Sequence, residues 1–252
     1  MSGSGFSNSE RGNGAALPLN PLPVLRLVAL GILLFALLGS ADLLAHSVDE
    51  DDKAFIQQAQ GLQIIPYIYL GAKHMVTGYD HLLFLAGIIF FLFRMKNIGA
   101  YVTLFAIGHS TTLLVGVLLD IRADPFIVDA IIGLSVAYKA FDNLDGFRTV
   151  FHYRPNPKLA VLIFGFFHGF GLATKLQDLT LGADSVVANL VAFNVGVEIG
   201  QFMALAIILI AMNFWRLSKS FASSAVLANA ALMSAGFILV GYQLTGYFAQ
   251  GA

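Results

Sequence analysis

His74, Asp80, His81, His109, His168 and Glu198 stand in stretches whose other residues are mostly apolar. Imidazole and carboxylate are the donors a divalent transition metal takes when sulfur is absent, and this chain has no Cys. A charged side chain at the centre of a bilayer costs about 2.5–3.5 kcal/mol on insertion scales, so several such groups in one chain imply a use. Between Lys73 and His81, helical spacing puts His74, Gly78 and His81 on one face. Asp80 lies about a quarter-turn away, placed either to ligate beside His81 or to orient an imidazole. The plainer alternative pairs Asp80 with Lys73 and leaves His74 as an interfacial anchor. His109 heads the polar run His109-Ser110-Thr111-Thr112, His168 lies between Phe167 and Gly169, and Asn194 and Glu198 share a face at i, i+4 with Gln201 continuing it. These groups are expected to form one metal site of His74, Asp80, His81, His109, His168 and Glu198, with Ser110 and Asn194 as supporting polar groups. Ser110, Thr111 and Thr112 have a purely structural reading, because hydroxyls bond the carbonyls of their own helix. Gln201 reads as glue between helices, and Asp129, Lys139, Asp142 and Asn143 read as snorkelling or capping groups near helix ends.

The elements that must position these residues are apolar helices. Of 252 residues, 58% are hydrophobic and 12% charged, and the mean hydropathy is +0.78, too apolar for a soluble domain. The net charge of −1 leaves no basic footprint for nucleic acid. Apolar runs cover about 24–44, 65–93, 99–119, 125–143, 158–177, 186–214 and 223–248. The expected fold class is all-α, a polytopic membrane bundle of six or seven transmembrane helices. Residues 1–23 read as a disordered segment rich in Gly, Ser, Asn and Pro. Residues 24–45 read either as a first transmembrane helix or as a signal peptide cut after Ala41, or less typically after Ala45. Residues 46–64 form an acidic outer linker carrying Asp49, Glu50, Asp51 and Asp52, and 65–250 form the transmembrane domain. Arg94 and Lys96, then Arg148, Arg154 and Lys158, then Arg216 and Lys219 follow alternate spans, which places those loops in the cytoplasm and the C-terminus outside.

A short internal echo joins Phe105-Ala106-Ile107-Gly108 to Phe193-Asn194-Val195-Gly196. They fall at corresponding places if the last six spans are two halves of three. An odd number of helices per half inverts the second relative to the first, and inverted repeats around a midplane site are a recurrent transporter plan.

Five motifs in order, GAKHMVTGYDHLLFL from Gly71, FAIGHSTTL from Phe105, GLSVAYKAFDN from Gly133, FGFFHGFGLA from Phe164 and FNVGVEIGQ from Phe193, together resemble the second subgroup of the HupE/UreJ family. These are hydrogenase and urease accessory membrane proteins, and the resemblance covers about residues 65–248. The His and Asp-His motifs are also similar to those of nickel/cobalt permeases, where four residues separate the His from the pair; here five separate His74 from Asp80. The resemblance implies transition-metal uptake across a bacterial inner membrane, nickel foremost, with cobalt, zinc, copper and iron open. On this expectation a divalent ion gathers at the acidic outer linker and passes to the midplane site, the partners being lipid and metal ions. No Walker A pattern implies an ATPase. Two alternatives remain: an intramembrane metal-dependent hydrolase, with three ligands and an acid activating water, and an accessory protein that binds metal without moving it.

Overall fold

The computed structural model describes residues 61–92, 95–177 and 185–250. The expectations for residues 1–60, the terminal segment, the first span or signal peptide and the acidic run, lie outside the described residues. Within them the chain is all-helical and holds no strand.

The 65–93 run, expected as one helix, is two: α1 (Ile64–Thr77) and α2 (Tyr79–Ile89), parted at Gly78 with φ −68° and ψ 102°. Gly78 N–H closes α1 on the His74 carbonyl at 3.0 Å, and the Gly78 carbonyl opens α2 by accepting from Leu82 N–H at 2.9 Å. Asp80 follows in the first turn of α2, where a carboxylate suits the helix dipole. The other runs match single helices: α3 (Met95–Leu118), α4 (Pro125–Asn143), α6 (Pro157–Gln177), α7 (Val186–Arg216) and α8 (Phe221–Gln250), with a short α5 (Gly146–Phe151) after α4. Asp124 caps α4 by accepting from Ile127 N–H at 3.1 Å, with Pro125 in the first turn. Asn156 caps α6 by accepting from Lys158 and Leu159. Among the described residues, four helices are long and apolar enough to cross a membrane: Lys96–Leu118, Pro157–Thr174, Val186–Arg216 and Phe221–Gln250. α4, at 19 residues, rises about 28 Å, close to the thickness of a hydrocarbon core. Large apolar side chains such as Ile163, Phe202, Ile207, Phe214 and Leu227 are exposed on the outside of the bundle, a surface that suits lipid and not water.

Polar ties fix the helix directions. Gln63 and Gly61, before α1, bond Asn189 and Ser185 at the start of α7. Arg216, at the end of α7, donates to the carbonyls of Ile89 and Phe90 at the end of α2. The broken span and α7 therefore run parallel. α3 and α6 are parallel too, since Gln177 at the end of α6 donates to the carbonyls of Gly116 and Ile121.

The main contacts pair α1 with α7, α3 with α6, and α4 with α8. Exchanging the first three spans for the last three turns α1·α7 into α6·α3 and leaves α4·α8 as itself, as an inverted repeat requires. The contacts agree residue by residue. Gly71 packs on Phe193 as Gly165 packs on Phe105; Gly196 packs on Ile68 as Gly108 packs on Leu162. A methyl group on Gly108 or Gly165 would sit 2.5 Å from a carbonyl oxygen of the neighbouring helix, so glycine is what lets these backbones meet. Gly200 faces Ala72 where Thr112 donates to the Phe166 carbonyl. Two apolar clusters fill the interior, one around Phe84, Ile89, Phe105 and Leu205, the other around Tyr67, Leu113, Leu172 and Leu190.

Candidate metal centre

Between those clusters lie four imidazoles from four helices. The His74, His81 and His109 rings offer one nitrogen each within 4.8 Å of one another. Ring centroids are 5.0 Å apart for His74 and His81 and 6.1 Å for His81 and His109. The His168 ring lies 4.9 Å from that of His81. The break at Gly78 helps to make this possible, because residues seven apart in an unbroken helix are separated by about 10.5 Å along the axis. The extra residue between His74 and Asp80, relative to the permease spacing, falls in the segment that holds the break.

Two of the rings have a tautomer set by a hydrogen bond. His81 Nδ1 donates to Asp80 Oδ1 at 2.9 Å, and the same oxygen accepts the His81 backbone N–H at 2.8 Å. A carboxylate accepts only, so the proton sits on Nδ1 and the Nε2 lone pair is presented outward. His168 Nδ1 donates to the Phe164 carbonyl at 2.8 Å, which sets the same tautomer. His81, His109 and His168 are 3%, 0% and 1% exposed, yet His81 Nε2, His168 Nε2 and both nitrogens of His109 have no hydrogen-bond partner. Buried polar atoms are rarely left so, because each costs about 1–3 kcal/mol. The surroundings are aromatic: Phe105 lies against His81, His109 and His168, Phe84 against His168, and Phe193 against His74. Unpartnered imidazole nitrogens in dry, aromatic surroundings, three of the rings at ligand spacing, fit a borderline divalent metal.

Asp80 stands at the edge of this centre as an orienting group. Its Oδ1 is tied to His81 Nδ1 at 2.9 Å. Glu198, expected among the ligands, is not brought into the cluster. Phe193 and Val197 face α1, and Glu198 is turned about 100° from Val197, onto an exposed face. Ser110 is turned from His109 in the same way, and both line a groove between α3 and α7. Asn194 is buried, with its amide N–H on the Leu190 carbonyl and its oxygen without a partner. Thr111 bonds its own helix at Ile107, as the structural reading expects, whereas Thr112 also reaches across to α6. Lys139 pairs with Asp142 at 2.5 Å. Asn143 does more than cap, bridging the Gly87 carbonyl of α2 to Asn229 of α8 at 2.9 Å each.

The sequence carried one further signal for the cluster. Gly71-x-x-His74 and Gly165-x-x-His168 share a spacing, and their glycines occupy matching contacts, so His74 and His168 are equivalent residues of the two halves.

No curated protein and no solved structure matches the chain. Residues 50–251 match the family model described as HupE / UreJ protein, and the chain belongs to the HupE/UreJ family.

Proposed function

We propose that this protein is a permease for divalent transition metals, nickel foremost, in the bacterial inner membrane, with residues 65–250 as the transporting unit and the C-terminus outside. The observation that carries the reading is the set of buried, unpartnered imidazole nitrogens on α2, α3 and α6, drawn from both halves of the repeat. His81, His109 and His168 take the ion together with His74, while Asp80 fixes the His81 ring. Ligands must be deprotonated to bind, so neutral imidazoles are ready for the metal. One carboxylate balances only half the charge of a divalent ion. The centre therefore holds its cargo loosely enough to pass it on, as conduction requires. Rocking of one half against the other about the fixed site supplies access to each side in turn.

A hydrolase reading needs a carboxylate free to activate water, and the one beside this cluster is engaged with His81. The test is flux. Purified protein in liposomes with a trapped metal dye is expected to admit Ni²⁺, with Co²⁺, Zn²⁺, Cu²⁺ and Mn²⁺ ranked against it, and His109→Ala should fall to the rate of empty liposomes. Tight metal binding without flux of any ion would instead make the protein an accessory metal carrier.

A further inference from the structure

The segment that joins α4 to α6, residues 144–156, is a feature that the histidine centre does not use. α4 ends at Asn143 after a rise of about 28 Å, and Pro157 opens a membrane-crossing stretch, so the segment lies at one face of the bilayer, level with the headgroups. Asp145 and His152 flank α5 in the left-handed conformation, with φ of 55° and 53°, and turn the chain at each end. A chain of rings fastens α5 to the bundle: Phe147 lies 4.7 Å from Tyr138 and 4.8 Å from Phe141, and Phe151 lies 6.2 Å from Phe147. The rings then come out to the surface, where Phe151 and Tyr153 are 64% and 66% exposed. Basic groups flank them. From Leu144 to Lys158 the chain carries Arg148, Arg154 and Lys158 against a single acid, Asp145. One oxygen of the buried Asp145 lies 3.9 Å from Arg148 Nη1 and the other 3.9 Å from Arg154 Nη2, with both arginines exposed. The carboxylate gathers two cations and neutralises one. At that length neither contact is a hydrogen bond, so the N–H forks stay open to another acceptor.

We propose that this segment is a site for an anionic phospholipid, with one headgroup phosphate held between the Arg148 and Arg154 guanidiniums and the Phe151 and Tyr153 rings seated in the lipid interface. Phosphate is the acceptor that a guanidinium fork matches, because two of its oxygens take two parallel N–H bonds. As a diester it carries one negative charge, which offsets the one positive charge that Asp145 leaves over. The rings decide the source of the phosphate. A soluble anion would meet the guanidiniums and leave two large aromatic side chains in water, whereas aromatic rings at headgroup level belong to the membrane interface. The alternation of basic loops that puts this segment in the cytoplasm also puts it against the leaflet surface whose potential is negative. The claim rests on the bundle spanning a bilayer and not on what the histidine centre carries.

The experiment gives purified full-length protein in detergent an equal mixture of phosphatidylglycerol and phosphatidylcholine and counts bound lipid by native mass spectrometry. The parent should hold phosphatidylglycerol at least tenfold over phosphatidylcholine. Arg148→Gln together with Arg154→Gln should bring that ratio to within twofold of parity, with helicity by circular dichroism unchanged. Arg148→Lys together with Arg154→Lys keeps every charge and should still lower the ratio at least threefold, because an ammonium lacks the fork. Lys219→Gln removes an exposed cation that follows α7 at the same end of the bundle, outside the segment, and should leave the ratio as it is. No preference in the parent, an unchanged ratio in the double Gln variant, an equal loss in Lys219→Gln, or release of the bound phosphatidylglycerol by millimolar inorganic phosphate would overturn the proposal.

Discussion

Replacing Gly78 by Ala tests the break in the first span, because the added methyl has nowhere to go. Its carbon would lie 2.8 Å from His81 Nδ1, 3.0 Å from the His74 carbonyl oxygen and 3.2 Å from Asp80 Oδ1. The first distance is about 0.7 Å short of ordinary contact. The His74 carbonyl cannot retreat without opening the 3.0 Å bond that ends α1, so the imidazole or the carboxylate must move. A displacement of that size takes the 2.9 Å Asp80–His81 bond out of hydrogen-bonding range. Alanine also favours a continuous helix over glycine by about 1 kcal/mol, which pulls the break toward straightness and His74 away from His81. Loss of an orienting partner costs about 10–100-fold in metal affinity, and overpacking costs about 1–3 kcal/mol in stability. Titration of the purified variant with Co²⁺, followed through its visible spectrum and paired with thermal unfolding, reads both. An affinity within twofold of the parent, with the same spectrum, would refute the idea that the glycine break builds the centre.

Other substitutions separate ligand, orienting and packing roles. Asp80→Asn keeps the shape but removes the charged acceptor, and is expected to weaken Co²⁺ binding about 10–100-fold with helicity by circular dichroism unchanged. His109→Phe should abolish binding at the histidine centre while the metal-free protein unfolds at the same or a higher temperature, because two unpartnered buried nitrogens disappear. Thr112→Val removes the 2.7 Å bond to the Phe166 carbonyl and should cost about 0.6 kcal/mol in detergent unfolding, with metal affinity within threefold. Lowering the pH should weaken binding to the histidine centre, since protons compete for the same lone pairs; a pH-independent affinity across the imidazole range would contradict nitrogen ligation.

The six runs within the described residues were legible because each is a long apolar stretch, two of them opened by side-chain caps at Asp124 and Asn156, and they match helices, or a pair of helices, to within a few residues. The break was not, since a glycine inside an apolar helix signals close packing as readily as interruption. Residue type and depth pointed to His74, His81 and His109, which come to ligand spacing, and to His168, whose ring lies beside that of His81. Their equivalence across the halves was written in the Gly-x-x-His spacing, but only the contacts of Gly71 and Gly165 give it meaning. Glu198 shows where spacing runs out. The i, i+4 relation to Asn194 holds, and it says nothing about which way that helix face turns. Phe193 and Val197, its apolar neighbours, decide the rotation by packing against α1.

The repeat also explains why the centre mixes one carboxylate with four imidazoles. His74 and His168 are related by the exchange of halves, so both halves contribute the same group from the same helix position. Perfect symmetry would repeat the Asp80-His81 pair as well, but its counterparts on α6 are Thr174 and Lys175, and Thr174 instead donates to the Phe170 carbonyl and accepts from Ala123 N–H. Because α6 runs unbroken, Thr174 stands six residues beyond His168, about 9 Å along the helix and beside Ala123, so a carboxylate there would miss the centre. The chain keeps the symmetric imidazoles and breaks the symmetry in charge. Thr174→Asp should therefore leave Co²⁺ affinity within threefold of the parent, and a tenfold gain would show that α6 can bring that position to the centre as the broken span brings Asp80.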